Sequence, residues 1–219
     1  MSHFFSRLFG GSSPDATARG PLGLHLHAGF TLDTLAFRLC EDALLISLPG
    51  EDYTVAACGV IDMGAGCMIH RYYTSGDEFL QINTAGGLGI ENIEDIKFFI
   101  YEESSGVSRE STWREMLSAD KMGKPGLTWM DHRWQRFFET EEKGNISPIY
   151  LLEHVVNHSG AKWDVHNFMM GYQREVATDF YEYVLLNGEE TFAENGDPEW
   201  IFSRAIGVDI PLTSLNVIG

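Results

Sequence analysis

Between residues 39 and 103, apolar and polar positions alternate in short runs, each stopped by glycine, proline or an acidic turn. Residues 43–48 form one apolar run, halted by Pro49, Gly50, Glu51 and Asp52; residues 53–61 form the next, closed by Gly64, Ala65 and Gly66. Residues 68–74, a turn at Ser75, Gly76 and Asp77, residues 78–83, a glycine-rich loop and residues 96–101 complete the series. Short period-two runs joined by tight turns predict an antiparallel meander and not βαβ crossovers.

The pattern changes over residues 107–145. Thr112 followed by Glu115 has capping-box spacing and predicts a short helix through Leu117. Residues 129–141 fit two readings: a helical face bearing Trp134, Phe137, Phe138 and Glu141, or an aromatic strand. Beyond residue 146 β-like composition returns. Pro148 could open a helix, but Tyr150, Val155, Val156 and the Ser159-Gly160 turn favour a strand and hairpin. Strands are expected next over residues 168–176, 181–187 and 200–206.

The predicted class is therefore α+β, predominantly antiparallel β. Residues 1–13 read as an apolar N-terminal peptide and tether, 14–106 as a first β-unit, 107–145 as a helical or mixed connector, and 146–219 as a second β-unit. The two units echo one another: residues 78–83 (EFLQIN) resemble 182–187 (EYVLLN), each after an arginine strand, at Arg71 or Arg174. One supersecondary unit used twice would produce this echo, and so would two ordinary amphipathic hairpins.

Composition narrows the function classes. With 44% hydrophobic residues in 219, folding can bury a self-sufficient core. Thirty-two acidic against 15 basic residues leave a net charge of −17, which repels nucleic acid and anionic lipid. Only the segment before Cys40, with Arg7, Arg19 and Arg38 against Asp15 and Asp33, approaches an acidic surface without penalty. Cys40, Cys58 and Cys67 follow no paired metal spacing and sit among apolar neighbours, as free thiols of a reducing cytosol do, with a cross-strand Cys58–Cys67 pair as the rival reading. No run approaches the roughly 18 apolar residues of a membrane span. The first nine residues are too short for a secretory core, so a cytoplasmic location is expected.

Residues 60–66 (VIDMGAG) through His70-Arg71-Tyr72-Tyr73, residues 79–87 (FLQINTAGG), residues 171–176 (GYQREV) and the closing residues 206–219 together resemble the YjfK-like family of bacterial proteins of unknown function. The resemblance spans most of the chain, with residues 119–165 fitting it least. It brings no cofactor or catalytic residue. What it implies is a phage-shock-protein-A-like or other membrane-associated partner and a peripheral place at the inner membrane.

Candidate chemistry is sparse. His154 and His158 share a face, and a hairpin turning at Ser159-Gly160 would carry His166 towards His154; three neutral imidazoles suit zinc. No glutamate stands where an H-E-x-x-H site needs its base, so hydrogen-bonded surface histidines are the plainer account. The loop at residues 84–89 (TAGGLG) lacks the lysine and hydroxyl of a P-loop. Arg71 and Arg174 could form cross-strand pairs with Glu78 and Glu182, or line a groove between the two units that takes an anionic peptide or ligand. Phe4, Phe5, Leu8 and Phe9 would share one face of a short helix and dock to a membrane or partner. Three functions follow: a non-enzymatic interaction or scaffold protein, expected first; a metal-dependent hydrolase or metal-binding protein using the histidines; and a small-molecule sensor with a pocket between the β-units.

Overall fold

The structure, a computed structural model, describes residues 16–47, 50–137 and 144–218. The chain opens with a short strand β1 (Gly29–Leu32), one helical turn α1 (Leu35–Arg38) and β2 (Asp52–Thr54). A first meander follows: β3 (Ala57–Gly64), β4 (Cys67–Tyr73), β5 (Glu78–Ala85) and β6 (Ile93–Val107). After helix α2 (Glu110–Met116) and a hairpin of β7 (Gly126–Trp129) and β8 (His132–Arg136), a second meander runs through β9 (Ile149–Asn157), β10 (Lys162–Ala177), β11 (Phe180–Phe192) and β12 (Pro198–Asp209). The last strand is β13 (Leu215–Ile218).

The two meanders close on one another. β6 pairs antiparallel with β12, from Lys97 opposite Asp209 to Val107 opposite Trp200. β3 pairs antiparallel with β9, from Ala57 opposite Asn157 to Ile61 opposite Glu153. The order β3-β4-β5-β6-β12-β11-β10-β9 thus returns to β3 as an eight-stranded antiparallel barrel. Closure gives each of these strands a neighbour on both sides, so the barrel offers no long edge for another chain to extend. β8 pairs with the far end of β10, and β13, β1 and β2 form a small separate sheet.

Burial is arranged with the main apolar core outside the barrel. One face of its wall, through Leu80, Ile82, Phe98, Val184, Ile206 and Val208, packs against the wrapping segments at Leu24, Phe30, Leu32 and Phe37. Tyr53 joins the layers, its ring 5.0 Å from both Phe30 and Phe98. Burial of each such side chain contributes about 1.5–3 kcal/mol, so this outer layer supplies much of the stability. Helix α2 lies on β11 at Gly188, where an added methyl would come within 2.7 Å of the Trp113 ring, and Trp113 stacks on Trp200 at 5.9 Å.

Several expectations are corrected here. The fold is mostly antiparallel β as expected, but its closure into a barrel was not foreseen. Residues 43–48 form no strand among those described: the Leu45 and Ile46 N–H groups donate to the Glu182 carboxylate at 2.7 and 2.8 Å, which replaces a ladder partner. The run 53–61 is cut at Val55 and Ala56, whose N–H groups bond Ala28 and Tyr73 carbonyls and hand the chain from the small sheet to the barrel. Thr112 is no cap, since α2 starts after Arg109 and makes no side-chain cap bond; aromatic packing holds it instead. Residues 132–136 are strand, and the remainder of the ambiguous stretch, 138–141, lies outside the described residues.

Candidate functional site

The inner face of the barrel buries a polar network beside a cluster of Phe79, Phe99 and Tyr183. Arg71 of β4 donates to Glu153 of β9 at 2.8 Å and contacts the Met169 sulfur of β10 at 3.0 Å. Because β4 and β10 are not neighbours, this contact crosses the lumen. Both charged side chains are 1% exposed. Glu153 also accepts from the Tyr73 hydroxyl at 2.7 Å and from Asn167 Nδ2 at 3.1 Å. Burial is the largest single influence and opposes the charge on Arg71, yet Glu153, Tyr73 and Tyr101 together outweigh it and raise the guanidinium pKa. A methyl group on Gly59 would lie 1.8 Å from Glu153 Oε1, so glycine is what lets this carboxylate enter the lumen.

From Arg71 a chain of hydrogen bonds climbs to one mouth. Arg71 Nε donates to Gln81 at 3.1 Å, Gln81 to Asn83 at 3.3 Å, and Asn83 to Asp95 at 3.0 and 3.1 Å. Lys97 then bridges Asp95 at 3.5 Å and Asp209 at 2.7 Å, with its ammonium 4.5 Å from the centre of the Tyr183 ring. The Tyr183 hydroxyl donates to Asp209 at 2.6 Å; burial, then that bond, pushes its pKa up and keeps it a donor. In the other direction Asn167 accepts from Asn187 at 2.7 Å, and Asn187 and Ser203 donate to Glu189. Burial, followed by repulsion from Glu153, raises the Glu189 pKa.

At the Lys97 mouth the lumen opens into a cavity of about 410 Å³. Ile69, Phe99, Leu151, Met169 and Leu185 form apolar walls, with Phe137 and Ile149 at the rim, while Gln81, Asn83, Asp95, Lys97 and Tyr183 line one side. The arrangement can take up a compact apolar body while offering hydrogen bonds to a head group.

The description "Protein of unknown function (DUF2491)" fits residues 4–216. The chain is 66% identical over 219 residues, all of each sequence, to "Uncharacterized protein YjfK" of Escherichia coli (strain K12). It belongs to the DUF2491 family. No solved structure matches it. Every strand of the barrel lies inside the DUF2491 match, so the polar lumen belongs to that shared region.

Residues singled out in this DUF2491 chain by sequence are scattered. Among the described residues no three His, Cys, Asp or Glu side chains are placed to hold a metal. His154 pairs with Asp164 at 2.6 Å, His166 lies opposite Leu152 and bonds the Tyr150 hydroxyl at 2.8 Å, and His158 is at the turn. Arg71 and Arg174 do not share a groove. Arg71 is inside the lumen, paired with Glu153 and not with Glu78. Arg174 is on the outer face, where it pairs with Glu182 and donates to the Ala43 carbonyl at 2.7 Å. The Arg174–Glu182 pair therefore clamps the segment around Ala43, Leu45 and Ile46 to the wall. Phe4, Phe5, Leu8 and Phe9 lie outside the described residues. All three cysteines are free.

Sequence reasoning missed Gln81, Asn83, Asp95, Lys97, Glu153, Asn167, Tyr183, Asn187, Glu189 and Asp209. The available signal was alternation itself: Gln81 and Asn83 alternate with the apolar Leu80 and Ile82, and this polar set faces the lumen.

Proposed function

We propose that this barrel is a small-molecule-binding protein whose ligand enters the Lys97 mouth between the two meanders. The observation that carries the reading is the 410 Å³ cavity, walled by strands of both meanders and floored by the buried Arg71 network. Eight-stranded barrels are wide enough to fill with side chains or to hold one small ligand, and this one fills its lower part and leaves the upper part open. Two carboxylates, Asp95 and Asp209, flank one ammonium there, so the local charge disfavours an anion. The ligand class is a compact apolar molecule with a neutral or cationic hydrogen-bonding head.

The test uses N-phenyl-1-naphthylamine, a neutral apolar fluorophore, titrated into the full chain. Saturable binding at one site is expected, and Leu185→Trp should abolish it by filling the cavity while circular dichroism stays unchanged. No saturable binding, or equal binding to the folded Trp variant, removes this function.

A second reading, as an interaction or scaffold protein near the membrane, is favoured by Tyr150 and Phe192, 50% and 54% exposed, which bracket His166 on the outer wall. It would act with residues 4–9 and a membrane-associated or phage-shock-protein-A-like partner. Pull-down of such a partner should be lost on deleting residues 1–13 or in Tyr150→Ser/Phe192→Ser; retention in both excludes it.

A further inference from the structure

A second cavity, of about 250 Å³, lies on the outer wall of the barrel beneath the segment at residues 16–20. It is separate from the lumen, being lined from the opposite face of β3 and β4 by Cys58, Val60, Met68, His70 and Tyr72. Two polar atoms there have no hydrogen-bond partner although fully enclosed: His70 Nε2 and the Tyr72 hydroxyl, on residues 7% and 3% exposed. A native fold ordinarily pairs such groups.

The Tyr72 hydroxyl packs against Gly20, in the room that a side chain at residue 20 would take. A methyl there would sit 2.0 Å from the Tyr72 hydroxyl oxygen and 3.6 Å from His70 Nδ1. Its backbone, at φ −87°, is open to any residue, so glycine is not demanded by conformation and the missing side chain matters for room. Burial holds the His70 pKa down at about 4 and pushes that of Tyr72 up, so at neutral pH both are uncharged and both can present a hydrogen.

The rim supplies the charge. Arg19 lines the cavity, is exposed, and makes no side-chain hydrogen bond or ion pair among the described residues. Among the described residues no acidic side chain lines the cavity. We infer that this outer cavity binds a small organic carboxylate, its carboxylate accepting from Tyr72 and His70 under the attraction of Arg19, its apolar tail lying along Val60 and Met68. The apolar walls select an organic anion over an inorganic one. The volume equals that of about eight waters at roughly 30 Å³ each, which limits the ligand to a short-chain acid.

The full chain, labelled on histidine, is titrated with sodium hexanoate while the His70 ring nitrogens are followed by NMR; parallel titrations use 1-hexanol and sodium phosphate. A saturable shift of His70 with hexanoate is expected, weakened about tenfold or more in Tyr72→Phe and in Arg19→Gln, since each loses one donor to a charged group. Hexanol should bind at least about tenfold more weakly for the same reason. No saturable shift with hexanoate would reduce the cavity to a water pocket. Equal binding of hexanol or phosphate would overturn the ligand class, and undiminished hexanoate binding to both variants would place it elsewhere. Chemical shifts away from residue 70 report whether each variant is folded.

Discussion

Glu153→Gln tests the polar lumen most directly. The substitution keeps the shape of the side chain and removes the charge that faces Arg71, on a pair with both members 1% exposed. Two unit charges about 4 Å apart at an effective dielectric of about 20 interact by roughly 4 kcal/mol. Breaking one partner of a buried pair costs about 3–5 kcal/mol in measured cases. Glu189 moderates this, because its carboxyl is buried in the same network, is raised in pKa partly by Glu153, and is lowered by Arg71. With Glu153 neutral, Glu189 can ionise and take over part of the compensation. The expected loss is therefore about 3 kcal/mol, the low end of the range, or about 6–12 °C in melting temperature for a chain of this size. Urea unfolding followed by tryptophan fluorescence measures it, and the double variant with Glu189→Gln should lose more than the two single changes summed. A loss under about 1 kcal/mol, or strict additivity, would show that Arg71 draws its stability from elsewhere.

Glu189→Gln alone should stabilise. A carboxyl whose folded pKa lies above its unfolded value of 4.5 makes the folded state bind the extra proton, so stability falls as pH rises from 4.5 through the folded pKa. The variant should flatten that fall in melts taken across pH; an unchanged slope refutes it. His70 has the opposite sense: with a folded pKa of about 4 against 6.5, stability is lost as pH drops through that window, and His70→Gln should blunt the loss in acid unfolding. Gly59→Ala should cost about 1–3 kcal/mol by driving a methyl into Glu153, and the same change should cost less when made in a Glu153→Ala background than in the natural chain. Arg174→Met should leave fluorophore uptake at the Lys97 mouth intact while freeing the segment at residues 43–46 to proteolysis, because its carbonyl and N–H partners lie on the outer wall.

The strands were legible where period-two alternation met a glycine or acidic turn. Residues 68–74 and 78–83 fall almost on β4 and β5, and Ser159-Gly160 is the turn joining β9 to β10. Residues 43–48 failed because their backbone partner is a carboxylate about 137 residues away, at Glu182, a contact no local pattern encodes. The capping-box spacing at Thr112 misled for a related reason, since α2 is placed by Trp113 against Trp200 and Phe168. The echo between the units is not kept in register: Arg71 faces Gln81 inside, Arg174 faces Glu182 outside.

By itself, the order of residues determined that the chain makes antiparallel meanders with one apolar and one mixed face. It could not say which face would turn inward, because alternation is symmetric with respect to inside and outside. Only the tertiary structure decided that, by turning inward the face that carries Arg71 and Gln81 beside Phe79 and Phe99, and wrapping the wholly apolar one with residues 16–47 and the β7–β8 hairpin. Arg71 and Glu153, 82 residues apart, meet only because that closure brings their strands to a common lumen.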